Sequence, residues 1–410
     1  MSQRDMNPVR SGNYATPARS AEAPLLSDRN LHVVFGVTLM AVLGVASVTP
    51  AFPAIADALD LSPGAVGLLV VFFTLPGIVL TPVAGVLGDR LGRKRVLVPA
   101  LVLFAVAGAS CGFARNFELL LALRFLQGVG AAALGVINVT IIGDLYQGPR
   151  RPAALGYNAS VLSVGTAVYP VVGGALTLLG WYYPFFLPIL ALPVALLVIR
   201  HLENPETAPT LSLGVYIRNA LASAAKPEAL GWFVASLVTF VILYGAVLTY
   251  LPFLLAESFG ASPAGIGVML SASSLATVAT ASQLGWLARR FSQRSLVITG
   301  FLCYAASMIG IAFEGNVWIV LAAMMLFGAA NGINIPSILG ALTELAPAEY
   351  RAAFMSLNGM LLRLGQTVGP LVAGWLLHRW GLTGIYIGNA ILAVVALVLV
   401  AALVRERHGR

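Results

Sequence analysis

The chain runs to 410 residues, of which 59% are hydrophobic and only 10% charged, with a mean hydropathy of +0.90. Ordinary soluble domains are roughly 45–50% apolar, so this composition excludes a soluble enzyme or a disordered chain and places the polypeptide in a lipid bilayer. The formal net charge of +8 would suggest a nucleic-acid partner in a soluble protein, but the positions of the basic residues along the chain exclude one here.

A transmembrane helix needs about 20 mostly apolar residues to cross the hydrocarbon core, and twelve such segments are present. Residues 1–30 are polar and lack an apolar signal region, and they read as a disordered cytoplasmic tail. Spans are predicted at 31–53, 64–87, 96–114, 118–143, 153–178 and 181–200. Residues 201–228 form a polar interruption that reads as a cytoplasmic linker with room for one amphipathic helix. Six more spans follow at 229–255, 262–287, 295–313, 316–342, 352–376 and 382–404, and residues 405–410 form a short cytoplasmic tail. The expected fold is an all-α membrane protein with twelve transmembrane helices in two six-helix bundles, 31–200 and 229–404.

All but four of the 24 Lys and Arg lie in the tails or the even-numbered loops; Arg115 and Arg379 fall in the opposite loops, and Arg124 and Arg363 inside spans. By the positive-inside rule both termini are cytoplasmic, and the net charge is a topology signal. Cys111 and Cys303, the only cysteines, sit in apolar spans and read as small packing residues. No His, Cys or carboxylate cluster has metal-ligand spacing, so neither metal nor cofactor is expected.

Shifted by 200 residues, the chain matches itself. Ser62, Pro63 and Gly67 recur as Ser262, Pro263 and Gly267; Gly85, Leu87 and Arg90 as Gly285, Leu287 and Arg290. Arg151, Asn158, Gly165, Pro170 and Gly174 recur as Arg351, Asn358, Gly365, Pro370 and Gly374. Six spans separate each pair, so the halves are parallel repeats related by a pseudo-two-fold axis along the membrane normal, an arrangement suited to alternating access.

Three motifs then resemble a known family, the major facilitator superfamily, and within it the twelve-helix drug:proton antiporters. "GVLGDRLGRKRVL" (Gly85–Leu97) is similar to the loop signature between helices 2 and 3, and "RFLQGVGAAA" (Arg124–Ala133) to the helix 4 signature. "GTAVYPVVGG" (Gly165–Gly174) resembles the antiporter signature of helix 5 except that Tyr169 stands for its second glycine, whereas "GQTVGPLVAG" (Gly365–Gly374) keeps the Gly-Pro pair.

The candidate gating residues follow from these stretches. Gly92 makes the tight turn and Arg90, Arg93 and Arg95 hold the loop on the cytoplasmic side, with Asp144 as a carboxylate within reach. Gly85 opens the motif. Asp89 ends the second span, where it can face the N-terminus of a neighbouring helix; the resemblance implies that this is helix 11 of the other bundle, a latch favouring the state closed on the cytoplasmic side. The repeat carries Arg289 at that position. Gly165, Pro170, Gly173 and Gly174, and Gly369 and Pro370 in the second half, allow close helix approach and a kink.

The candidate coupling or substrate residues are polar positions inside spans. Arg124, Gln127, Ala131, Gly135 and Asn138 share one helical face, expected to form a stripe toward a central cavity. An intramembrane arginine is a functional candidate by default, and the resemblance implies a coupling role for Arg124; bonding to neighbouring carbonyls is the other open reading. Arg363 replaces Ser163 of the first half and lies near Asn358 and Gln366, with no intramembrane acid in its segment. Asn331, Asn334 and Tyr244 add polar groups, each open to a packing or a ligand role. No carboxylate lies deep in any span, which moves the expected substrate from lipophilic dications toward neutral, zwitterionic or anionic amphiphiles.

The function expected is a monomeric, multi-pass transporter of the cell (inner) membrane, not an enzyme. It would export a small-molecule amphiphile with protons as the coupled partner. A facilitator or proton-coupled carrier of a polar solute, such as a sugar or organic acid, is the alternative.

Overall fold

A computed structural model describes residues 24–203, 226–313, 315–346 and 351–405, with residues 351–353 described in their backbone only. Most of the predicted N-terminal tail, the linker and the C-terminal tail lies outside these residues. Among them there is no strand. Ten helical spans are α1 (Arg29–Leu59), α2 (Pro63–Leu91), α3 (Arg93–Cys111), α4 (Phe117–Leu145), α5 (Arg150–Thr177), α6 (Tyr183–His201), α7 (Pro227–Phe259), α8 (Pro263–Ser282), α9 (Gln293–Ala312) and α10 (Val317–Leu345). The helical stretch Arg351–Leu403 breaks at Gly381, φ 71° and ψ −171°, into α11 (351–380) and α12 (382–403). This backbone region is open to glycine alone. Twelve crossings result, as the hydropathy pattern predicts.

The caps follow the sequence repeat. Ser62 accepts a hydrogen bond from Ala65 N at 3.2 Å and Ser262 from Gly265 N at 3.2 Å, each followed by proline at the first helical position, where its missing N–H costs nothing. Gly92, at φ 94°, is at once the stop of α2 and the start of α3, so the whole connection is one residue. Helices α2, α4 and α10 contain 29 residues each, about 44 Å at 1.5 Å per residue, and extend past a hydrocarbon core of about 30 Å.

Three spans depart from regular helix. α1 tightens to a 3-10 turn at Thr49–Ala51 around Pro50, and α6 begins as 3-10 helix, Tyr183–Leu190, around Pro184 and Pro188, because proline supplies no N–H to an α-helical ladder. The middle of α7, Leu243–Tyr250, is a π-helix. α8 stops at Ser282 and is followed only by a short turn, Leu284–Leu287, which corrects the predicted span end at 287: the wide turn begins at Gln283 and leaves Gly285 in open space.

Two buried apolar clusters organise the molecule. One stays within the first bundle, around Leu43, Phe104, Leu134 and Ile137. The other fills the second bundle and continues into Phe52, Ile55, Val66 and Val70 of the first. All four of these residues lie near the α1–α2 turn, so the bundles share a core at that end.

Candidate functional site: the seam between the bundles

The seam is tightest where α5 meets α8. A methyl group on Gly174 would stand 2.3 Å from the Pro263 carbonyl oxygen, and one on Gly267 would stand 2.2 Å from that of Pro170. Neither distance is tolerable for a real Cβ, so glycine is required at both positions for the backbones to touch. One turn deeper, Ser274 Oγ donates to the Thr166 carbonyl at 3.1 Å. Across α2 and α11 the matching plug is Tyr250, fully buried, whose hydroxyl donates to the Pro370 carbonyl at 3.3 Å and lies against Gly67 and Gly374. Gly173 faces inward instead, against the Ser47 carbonyl of α1.

At the opposite end the seam parts. From Arg151 to Ser160, α5 buries only Ala154 and Asn158, one narrow stripe facing its own bundle. Ser282, Gln283 and Gly285 at the end of α8 are exposed, and among the described residues no group stands within 4 Å of where a Cβ would be on Gly156, Gly285 or Gly359. The two bundles thus close at the Ser62 end and separate at the Gly92 end.

Between these ends lies a polar middle. Thr74 and Thr367 share a hydrogen bond of 2.9 Å across α2 and α11. Arg363, half-buried on α11, passes beside Gly77 of α2 and brings Nη2 within 3.9 Å of a Cβ position on Gly135 of α4. Its Nη1 donates to Gln366 Oε1 at 3.1 Å, and Tyr244 lies half-buried on the π-helical part of α7.

Arg124 lies elsewhere. It is fully buried inside the first bundle, where Nη1 donates to the Gly44 carbonyl at 2.9 Å and to Gln127 Oε1 at 2.8 Å, and Nε donates to the Leu69 carbonyl at 3.3 Å. Its guanidinium carbon stands 4.4 Å from the Phe73 ring centre and 6.0 Å from that of Phe185. The expected stripe toward the cavity is therefore split: Arg124 and Gln127 are enclosed by neighbouring helices, and of that face Gly135 meets the seam. Asn138 is also enclosed, donating to Thr38 Oγ1 at 2.5 Å, and Thr38 in turn donates to Asn158 Oδ1. The repeat has Val238 and Ile338 in place of Thr38 and Asn138, which leaves Asn358 buried with Oδ1 unpartnered. In the second bundle Tyr304 donates to Asn331 Oδ1 at 2.6 Å, and Asn334 is packed against Gly300.

In the charged loop Arg93 is nearly buried. It pairs with Asp89, donates from Nε to Asp144 Oδ2 at 3.0 Å, and lies over Gly88 with Nη1 3.4 Å from the Gly85 carbonyl. Asp144 thus ties α3 to α4 within one bundle. The repeat keeps this tie with a neutral donor in place of the arginine, Gln293 Nε2 donating to Glu344 Oε1 at 3.2 Å. Arg90 is exposed. Lys94 caps the last carbonyls of α6, donating to Ile199 at 2.5 Å and Leu202 at 3.4 Å, a favourable place for a cation at a helix C-terminus.

Tyr250 as a plug, and the cross-bundle pairs Thr74–Thr367 and Ser274–Thr166, are not singled out by sequence reasoning. The signal for the first was available: Gly67 and Gly267 are a repeat pair, and each lies where the other bundle presses closest.

The chain is similar to known proteins. The family model of the Major Facilitator Superfamily matches residues 34–257 and 252–410. A bacillibactin exporter of Bacillus subtilis is 26% identical over 385 residues, covering 91% of this chain and 95% of that protein. Multidrug resistance protein 1 of the same organism is 28% identical over 346 residues, covering 82% and 87%. Among solved structures, the inward-facing, occupied form of a bacterial homologue of the human lysosomal transporter Spinster superposes with a TM-score of 0.77 at 16% identity, covering 93% of this chain and 97% of that one. The chain belongs to the Major Facilitator Superfamily.

Proposed function

We propose that this protein is a secondary transporter that exports small amphiphilic compounds across the cell (inner) membrane by alternating access, coupled to proton entry, with both termini in the cytoplasm. The observation that carries the reading is the asymmetry of the seam: the bundles close through Gly174, Gly267 and Tyr250 and part at the Gly92 end, leaving Arg363, Gln366 and Thr367 between them. Rocking one bundle on the other would move the opening to the opposite side. The positive-inside distribution assigns the Gly92 end to the cytoplasm, so the conformation described faces inward. Curated relatives named as a bacillibactin exporter and a multidrug resistance protein support export as the direction and an amphiphile as cargo. No covalent step and no cofactor is needed, and the protein acts as a monomer.

On this reading Arg124 acts chiefly by holding the first bundle rigid, while the charged loop around Asp89 biases the conformational equilibrium. Proteoliposomes with an imposed pH gradient test the proposal: outward-directed, gradient-dependent flux of an amphiphilic substrate is expected. Flux of polar solutes alone, or of none, would reject it.

A further inference from the structure

The structure holds two intramembrane arginines in different surroundings. Arg124 is enclosed in the first bundle, where Nε and Nη1 donate to two carbonyls and Gln127 and Phe73 covers its face, with Nη2 left unpartnered. Arg363 has one side-chain hydrogen bond, to Gln366. Among the described residues no carboxylate lies within ion-pairing distance of it, whereas Arg93 is paired with both Asp89 and Asp144. A cation held at mid-membrane without a counter-charge is costly, and its cost falls only when water or an anion reaches it.

The Arg363 side chain crosses the seam, and the two positions that it meets on the first bundle, Gly77 and Gly135, are both glycines. Gln366 fixes Nη1 through an i, i+3 contact on the same helix, and the cytoplasm-facing end of the seam is open. The planar guanidinium suits a bidentate carboxylate or phosphate oxygen pair.

We infer that Arg363 is the seat for an anionic group of the transported compound, so that the cargo is an amphiphile carrying a carboxylate or similar oxyanion. This rests on the exporter reading. The anion supplies the counter-charge that the chain omits, and its apolar body lies along the seam toward α5 and α8. Because Arg363 belongs to one bundle and its glycine neighbours to the other, an anion there is sensed by both.

The test uses three probes with one aromatic body, bearing a carboxylate, a primary amide or a trimethylammonium group. Each is measured by equilibrium binding to the full chain in lipid nanodiscs and by counterflow in proteoliposomes. The expected result is that Arg363→Gln weakens carboxylate binding by about tenfold or more while the amide changes by less than about twofold, and that Arg363→Lys lies between. A second variant keeps Arg363 and neutralises it: Gly135→Asp places a carboxylate beside Nη2, and is expected to abolish the preference for the anionic probe in a protein whose arginine is intact. Equal losses for all three probes, or unchanged carboxylate binding in both variants, would overturn the inference. Arg363-dependent binding without counterflow in the wild type would reject the exporter reading and keep the anion seat.

Discussion

Gly174 of α5 rests on the Pro263 carbonyl of α8, and Gly267 of α8 rests on the Pro170 carbonyl of α5. Each helix thus presents its own glycine to its partner's proline carbonyl, a reciprocal contact that closes one end of the seam. At 2.2–2.3 Å no side chain fits. Gly174→Ala is expected to force the helices apart, to cost about 1–3 kcal/mol of stability in the closed arrangement, and to reduce transport by about tenfold or more. Gly156→Ala, in open space on the same helix, is the matched control and should transport normally. Accumulation in an efflux-deficient host compares them.

Arg124 joins α1, α2 and α4 through buried hydrogen bonds. A transmembrane side-chain hydrogen bond contributes about 0.6 kcal/mol on average, and truncation to Ala adds a cavity term. Arg124→Ala should therefore destabilise the protein by about 2–4 kcal/mol, visible as a lowered midpoint in thermal unfolding in detergent. Arg363→Ala, which removes a single hydrogen bond, should leave that midpoint nearly unchanged. Equal shifts would contradict the division of roles between the two arginines.

Asp89 is paired with Arg93 in the conformation that parts at the Gly92 end, so the charge is satisfied within its own bundle there. If it also latches the bundles when that end closes, Asp89→Asn should shift the equilibrium toward the open form, read as a longer mean distance between spin labels across the Gly92 end. Asp144→Asn breaks only the tie between α3 and α4 and should lower stability without moving that mean. Identical behaviour of the two variants would remove the latch and leave a topology signal.

Helix α11 packs on α7 through backbone contacts at Gly365 and Gly369, against the Leu237 and Val241 carbonyls. In the first half Tyr169 stands where Gly369 does, and Gly165 meets only the side chains of α1 and Tyr169. The zipped pair is thus confined to the second bundle. Gly369→Ala should impair folding or transport strongly and Tyr169→Ala weakly, in the same accumulation assay.

Much of the fold was legible because a bilayer imposes it: helix length, apolar runs and charge placement each point to the same twelve crossings, and the caps at Ser62 and Ser262 repeat in sequence as in structure. The seam glycines were legible for a related reason, since Gly174, Gly267 and Gly374 recur between the halves. That Arg124 bonds neighbouring carbonyls was one of its two open readings; which carbonyls, those of Gly44 and Leu69, was not legible, because no residue type announces them. The same holds for Tyr250, which acts through Pro370's carbonyl. The helical face from Arg124 to Asn138 was expected to line a cavity, but its neighbours decide what it meets: α1, α2 and α6 cover most of it and Arg363 reaches Gly135. The break at Gln283 was not foreseen, because the apolar residues run on past it into one further helical turn that ends at Leu287.

The central claim is that the two bundles rock about a seam that closes alternately at its two ends during export. Distances between spin labels at Gly156→Cys and Gly285→Cys, in a protein with Cys111 and Cys303 replaced, report the Gly92 end; a pair near Ser62 and Gly260 reports the other. Addition of substrate under a proton gradient should shorten the first distance and lengthen the second together. Both distances unchanged while transport proceeds would contradict the account.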